Sequence, residues 1–352
     1  MSSPGRDGCL LLGASAIDAA GLRELLTIWD PRTSPLPHPK NLPPKAASLA
    51  AEAAKAGDPA ALADRLVASG IAVTTLADDD YPPPLRELPD PPPALYYRGA
   101  FLPWKGPAIA LVGSRKASPY GLRMARSLAA ELASGGWTVV SGLAWGADAA
   151  AHRGALEAGG RTVGVLGSGI DSLYPAEHAT LAEAMTGTGA VVTEFPLGTP
   201  PLPRHFPRRN RIIAGLCLGV VVVEAGERSG TLITARLAAE QGKEVFAVPH
   251  QVGSPGGKGC LLLLKQGAAL VEKGEDIAGC WPYLCVSPAP GEGSAATPPA
   301  DRLLALLSSG PATAEEIAAS SGLPLTDALG ILSRMEIEGS AVRGPGGRYH
   351  AG

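Results

Sequence analysis

An excess of basic residues is the first thing this sequence lacks: 30 lysines and arginines stand against 33 aspartates and glutamates, a formal charge of −3. That excludes a protein coated in positive surface, so any contact with a polyanion must be local. Cysteine is scarce too. Cys9, Cys217, Cys260, Cys280 and Cys285 are odd in number and form no CxxC pair, which argues against a zinc site or disulfide framework and for reduced thiols. No metal and no cofactor is expected. No apolar run approaches a membrane span, and the first residues carry no basic start, apolar core and small-residue cleavage site. The sequence therefore reads as a cytoplasmic protein without membrane insertion. It also lacks the GxGxxG and GxxxxGK[ST] spacings, which disfavours ordinary dinucleotide or triphosphate binding.

What is present is 352 residues of 45% hydrophobic content, enough for one large core and one or two small domains. Residues 1–80 are rich in alanine and leucine. They read as short helices, with Leu22, Leu25 and Leu26 at helical spacing, prolines from Pro31 to Pro44, and a helical stretch Ala46–Gly70 ending in glycine. Proline dominates from Tyr81 to Gly99 and implies an extended connector without helices. After Pro107 six short β-branched runs alternate with amphipathic helices: 108–113, 137–142, 162–167, 190–194, 219–224 and 244–249. Such runs are those of buried parallel strands, and strict alternation with helices implies an α/β doubly wound parallel sheet. In the first of these helices Leu122, Ala125, Ala129 and Leu132 share one face. Residues 285–299 mix proline, glycine and serine as a linker does. Residues 300–352 give three helical patterns and a glycine-rich turn between two extended pieces, a winged helix. Its third helix sets Arg334 against Asp327, Glu336 and Glu338, so protein contact is expected of it rather than duplex recognition.

Open parallel sheets bind ligands beyond the carboxyl ends of their strands, which makes the following loops the candidates. Gly113, Ser114 and Arg115 precede a helix opened by Ser118-Pro119. The glycine allows close backbone approach, the serine donates to a phosphate, and the arginine clamps it. The stretch Arg204–Leu216 places four arginines and Phe206 at the start of an apolar helix. Positive side chains there oppose the helix macrodipole unless an anion meets them, so Arg208, Arg209, Asn210 and Arg211 with Phe206 read as a site for phosphates and stacked bases. Ser229, Gly230 and Thr231 open another helix, where backbone amides can form an anion nest. Asp148 and Asp171 read as helix caps and turn formers. His152, one turn beyond Asp148, has no serine or cysteine nucleophile placed with it.

Taken in order, ALVGSRKASPYG, VSGLAWGADAAAH, VGVLGSGIDSLYP, TEFPLGTPP, FPRRNRIIAGL, VVVEAGERSGTLITA and VFAVP resemble the DprA/Smf family of DNA-processing proteins. The resemblance covers residues 81–275. It implies an extended Rossmann-like domain over 81–284, a small helical, sterile-alpha-motif-like domain before it and a winged helix after it. It further implies a homodimer without enzymatic turnover that binds and protects single-stranded DNA and helps load RecA during natural transformation. The motifs carry over onto Gly113, Ser114 and Arg115, onto Phe206, Pro207, Arg209, Asn210 and Arg211, and onto Ser229, Gly230 and Thr231. The chain departs from the family pattern at His250, at Leu261 and at Trp145, which adds a stacking surface or fills space. The alternative is a Rossmann-like nucleoside-monophosphate phosphoribohydrolase. Against it, Leu232 and Ile233 stand where that group's acidic residue follows its Gly-Thr, and an apolar side chain cannot act as a general acid.

Overall fold

The computed structural model describes residues 4–15, 19–284, 303–304, 306–307, 310–321, 325–337, 340–344 and 347–351. The chain divides into two compact units, Met1–Pro288 and Ala289–Gly352. The expected linker, 285–299, lies outside the described residues, as do Asp301 and Glu338.

The first unit is built on one sheet. Its strands are β1 (Ala72–Thr75), β2 (Ala94–Gly99), β3 (Ala108–Gly113), β4 (Thr138–Ser141), β5 (Thr162–Val165), β6 (Ala190–Thr193), β7 (Gly219–Glu224), β8 (Glu244–Ala247) and β9 (Ala269–Leu270). They lie in the order β1-β2-β6-β5-β4-β3-β7-β8-β9. All neighbours from β6 to β9 are parallel, while β2 pairs antiparallel with both β1 and β6. The six runs singled out in the sequence are β3 to β8, and the sheet is doubly wound as expected. Alternation inside β3 explains its unbroken apolar sequence. Ile109 and Leu111 enter one core with Leu128 and Leu132 of the helix Pro119–Ser134. Ala108, Ala110 and Val112 enter the opposite core with Ile212 and Ile213 of the helix His205–Leu216. A strand covered on both faces has no polar side to display.

The helix Pro119–Ser134 starts as its sequence predicts, with the Ser118 hydroxyl accepting the Gly121 amide at 3.1 Å and proline in first position. Its buried stripe centres on Ala125, Leu128 and Leu132. Leu122 stands at the rim and is 37% exposed, contrary to the expected face.

Three sequence expectations are corrected here. The connector 81–99 is not uniformly extended: Pro83–Arg86 is a short helix begun by prolines, and Ala94–Gly99 is β2. The prolines end just before ALYYRG, whose β-formers are then free to pair with β6. The stretch 46–70 holds two helices, Pro44–Ala54 and Pro59–Ala68, divided at Gly57, whose φ of 100° favours glycine. Asp58 caps the second by accepting the Ala60 amide at 3.1 Å. Finally, residues 1–80 share the sheet's core: Leu12, Leu22, Leu25 and Trp29 cluster with Leu85 and Leu95, and β1 extends the sheet. The boundary expected at residue 80 falls inside a compact unit.

In the second unit the helices Ala314–Ser321 and Leu325–Ile337 pack Ile317, Leu332 and Met335 against Tyr349. The extended pieces β11 (Ala341–Arg343) and β12 (Arg348–Ala351) pair across the expected turn, and β10 (Ala312–Thr313) adds a third strand against β12. At two residues, β10 is too short to leave a periodic signal.

Cys9, Cys217 and Cys260 are free and buried, and burial pushes the thiols of Cys9 and Cys260 up to about 12. Cys280 is free and exposed, and Cys285 lies outside the described residues. Among the described residues no helix is long and apolar enough to cross a membrane.

Candidate nucleic-acid interface

Topology decides where a ligand can sit. From β3 the chain steps outward through β4, β5 and β6, then returns to place β7 on the other side of β3. The loops after β3 and β7 therefore diverge, and a crevice opens between them beyond the strand ends. It forms a cavity of about 580 Å³. Gly113, Ser114 and Arg115 line it after β3, Phe206, Arg209 and Asn210 from the helix His205–Leu216, and Ser229, Gly230 and Thr231 after β7. Every candidate residue is thus gathered there except Arg208 and Arg211.

The first loop is shaped by close approach. The β3–β7 register shifts between Val112 and Gly113, and a Cβ on Gly113 would stand 2.5 Å from Cβ of Ala147, which opens the helix after β4. The Ser114 amide donates to the Glu224 carbonyl at 2.8 Å, and its hydroxyl accepts the Lys116 amide at 3.1 Å. These bonds fix the backbone and leave Arg115 exposed, its guanidinium 5.1 Å from the centre of the Phe206 ring. Phe206 in turn rests on Gly167, where a Cβ would stand 2.8 Å from the ring.

The arginine-rich segment is a helix start, as expected, with no side-chain cap and no acidic residue in its first turn. The anion predicted to meet its arginines is, for Arg208 and Arg211, a carboxylate of the protein itself, and Arg209 is met by backbone carbonyls. Arg209 is 5% exposed and donates through Nη1 to the carbonyls of Gly142, at 2.8 Å, and Val165. Both carbonyls are at strand ends, where outward-pointing backbone oxygens have no further strand partner. Burial lowers the Arg209 pKa to about 10, against the attraction of Asp148. Arg211 meets the carboxylate of Glu194 at 2.6 Å and that of Asp90 at 3.3 Å, and Arg208 reaches Glu194 at 3.1 Å. Arg208 also lies over the Phe195 ring.

The third loop is less open than a free nest. The Ser229 amide already donates to the Gly226 carbonyl at 3.1 Å, and the Thr231 amide to the Ser229 hydroxyl at 3.2 Å. What faces the cavity is the start of the helix Thr231–Glu240, with open space around Gly230. Ile233 lines the cavity, and Leu232 packs against the core.

Sequence reasoning missed Glu194, read Asp148 as a helix cap, and did not single out Tyr174. Glu194, at the end of β6, is the buried acid that binds two arginines. A glutamate ending an apolar run beside an arginine cluster was the available signal. Asp148 does not cap its helix; it accepts the amides of Gly142 at 3.1 Å and Ala144 at 3.3 Å, tying down the loop that carries Trp145. Burial raises its pKa, and Arg209 opposes that shift. Tyr174 lines the cavity and packs against Phe206 with ring centres 5.9 Å apart. At the departure site His250, the ring nitrogen Nε2 lies 2.9 Å from the Val223 carbonyl, and the ring packs on Tyr120.

Comparison with known proteins identifies the family. A family model described as DNA recombination-mediator protein A matches residues 72–282, and one described as the DprA winged helix domain matches residues 287–347. Protein Smf of Escherichia coli (strain K12) is 42% identical over 276 residues, which is 76% of this chain and 74% of that protein. The structure of DNA processing protein A from Streptococcus pneumoniae superposes with a TM-score of 0.69 at 34% identity, covering 79% of this chain and 98% of that one. That of DNA processing protein A from Helicobacter pylori, described for its single-stranded DNA binding mode, gives 0.55 at 26% identity over 60% of this chain and 96% of that one.

Proposed function

The chain belongs to the DNA recombination-mediator protein A family, the DprA/Smf proteins, and from that premise we propose that it binds single-stranded DNA, without turnover, in the cavity between β3 and β7. The observation that carries this reading is Arg115 lying against Phe206 at the cavity mouth, 5.1 Å from the ring centre. A guanidinium takes a phosphate and a neighbouring ring takes a base, the combination that holds a single strand without reading its sequence. Gly113, Ser114, Asn210, Ser229, Gly230 and Thr231 complete the contact surface. Arg208, Arg209 and Arg211 hold its floor in place. The single-stranded DNA binding mode described for the Helicobacter pylori relative supports the same ligand here. In the cell the protein protects incoming DNA and helps load RecA during natural transformation, acting as a homodimer.

A salt titration tests the ligand. If three phosphates are neutralised, affinity for a single strand falls about twentyfold between about 50 and 200 mM salt, since each contributes roughly 0.7 to the logarithmic slope. A duplex of the same length binds more weakly at every salt concentration. Salt-independent binding, or equal affinity for the duplex, defeats the proposal.

A further inference from the structure

Trp145 is an exposed tryptophan in a loop that has every reason to be rigid. It is 37% exposed, yet the backbone around it is bonded on all sides. The Gly142 and Ala144 amides donate to Asp148, the Leu143 carbonyl lies 2.9 Å from Nδ1 of His178, and the Ala147 amide donates to the Ser114 carbonyl at 3.2 Å. Leu143 is held at φ 57°, a conformation a leucine adopts only when its surroundings fix it. The indole meets Tyr174 edge to face at 5.4 Å and His178 at 6.5 Å. Tyr174 continues to Phe206 at 5.9 Å, and Phe206 to the Arg115 guanidinium at 5.1 Å. An aromatic line therefore runs from the cavity mouth out to Trp145, at steps of comparable length.

Resting on the single-strand reading above, we propose that Trp145 is a second base platform, which stacks a base of the strand where it leaves the cavity past Tyr174. A large flat ring, immobilised before the ligand arrives and left partly uncovered, loses little freedom on stacking and accepts any base through its π face. The exposed Arg115 and Lys116 on the adjoining loop supply charge for the backbone between the two platforms.

The test uses the full chain with oligothymidylates of about ten nucleotides and the same oligonucleotides with the bases removed, compared in wild type, Trp145→Ala and Trp145→Phe. Trp145→Ala weakens binding of the base-bearing strand about tenfold and leaves the abasic strand unaffected, whereas Trp145→Phe, which keeps a ring, holds most of the affinity. Strand binding also quenches tryptophan fluorescence in wild type and does so much less in Trp145→Phe. Equal weakening of both strands by Trp145→Ala would reveal a merely structural residue and overturn the platform, as would wild-type affinity for both. Failure of the wild-type protein to bind any single strand overturns the function proposed above and the platform with it. A loss confined to Trp145→Ala cannot be mistaken for that result.

Discussion

At the mouth of the cavity Arg115 is exposed and lies against Phe206, while on and beside its floor Arg209 and Arg211 are buried and bonded to the chain itself. Both regions are built from arginine, and both sit at the carboxyl ends of strands. The difference is whether the protein already provides the counter-charge. Strand-end carbonyls hold Arg209 and Glu194 holds Arg211, so removing a floor arginine strands a buried acid or carbonyl. At the mouth, Arg115 is exposed and its guanidinium lies against the Phe206 ring. An arginine cluster in a sequence thus mixes two physical roles, and burial separates them.

The largest expected effect would break this division. Arg211→Ala leaves Glu194 with Arg208 as its remaining ion-pair partner and should cost about 3 kcal/mol. In thermal unfolding that is a fall in Tm on the order of 6–12 °C, with single-strand affinity of the folded protein near wild type. Adding Glu194→Gln should recover part of the loss, as coupled residues do. A stable Arg211→Ala protein that no longer binds would move Arg211 from the floor to the interface.

A second effect concerns a buried histidine of the helix Ala147–Glu157. His152 is buried, with Nδ1 2.7 Å from the Thr162 hydroxyl and no hydrogen-bond partner on Nε2. Burial, aided by His178 and Arg209, lowers its pKa from 6.5 to about 3. The folded state therefore holds it neutral. Its contribution is fully present above pH 6.5 and is lost as the pH falls toward 3. Between about pH 7 and pH 5 the loss is about 2 kcal/mol, read as a falling urea midpoint. His152→Asn should flatten that slope, and an unchanged slope would assign the acid sensitivity to other groups.

The mouth responds differently. Arg115→Ala should leave Tm unchanged, weaken single-strand binding about tenfold and reduce the logarithmic salt slope by about 0.7. The smallest effect sharpens the comparison by exclusion: deleting residues 290–352 should leave single-strand affinity unaltered, whereas loss of all DNA binding would transfer the interface to the winged helix.

Much of the fold was legible because its signals are local. A buried parallel strand such as Gly219–Glu224 has to be apolar along its whole length, and Ser118-Pro119 opens a helix by its own chemistry. What escaped was non-local or brief: β2 hidden behind prolines, β1 drawn from the helical segment, and β10 of two residues. In the site, the glycine-serine-arginine loop and Phe206 could be named from their types. The roles of Glu194 and Asp148 could not be read that way, because they are set by which strand ends the two residues lie beside.

The sequence by itself determined that this chain forms an alternating α/β sheet with an arginine-rich helix start at one of its strand-end loops. Side-chain period and cap chemistry act over a few residues and need no knowledge of neighbours. Only the tertiary structure decided which arginines are buried and which stay exposed. That depends on the strand order, which sets β3 beside β7, gathers the loops into one cavity, and brings Glu194 and the carbonyls of Gly142 and Val165 to the buried guanidinium groups. Desolvation makes those internal partners obligatory, whereas the exposed Arg115 needs none.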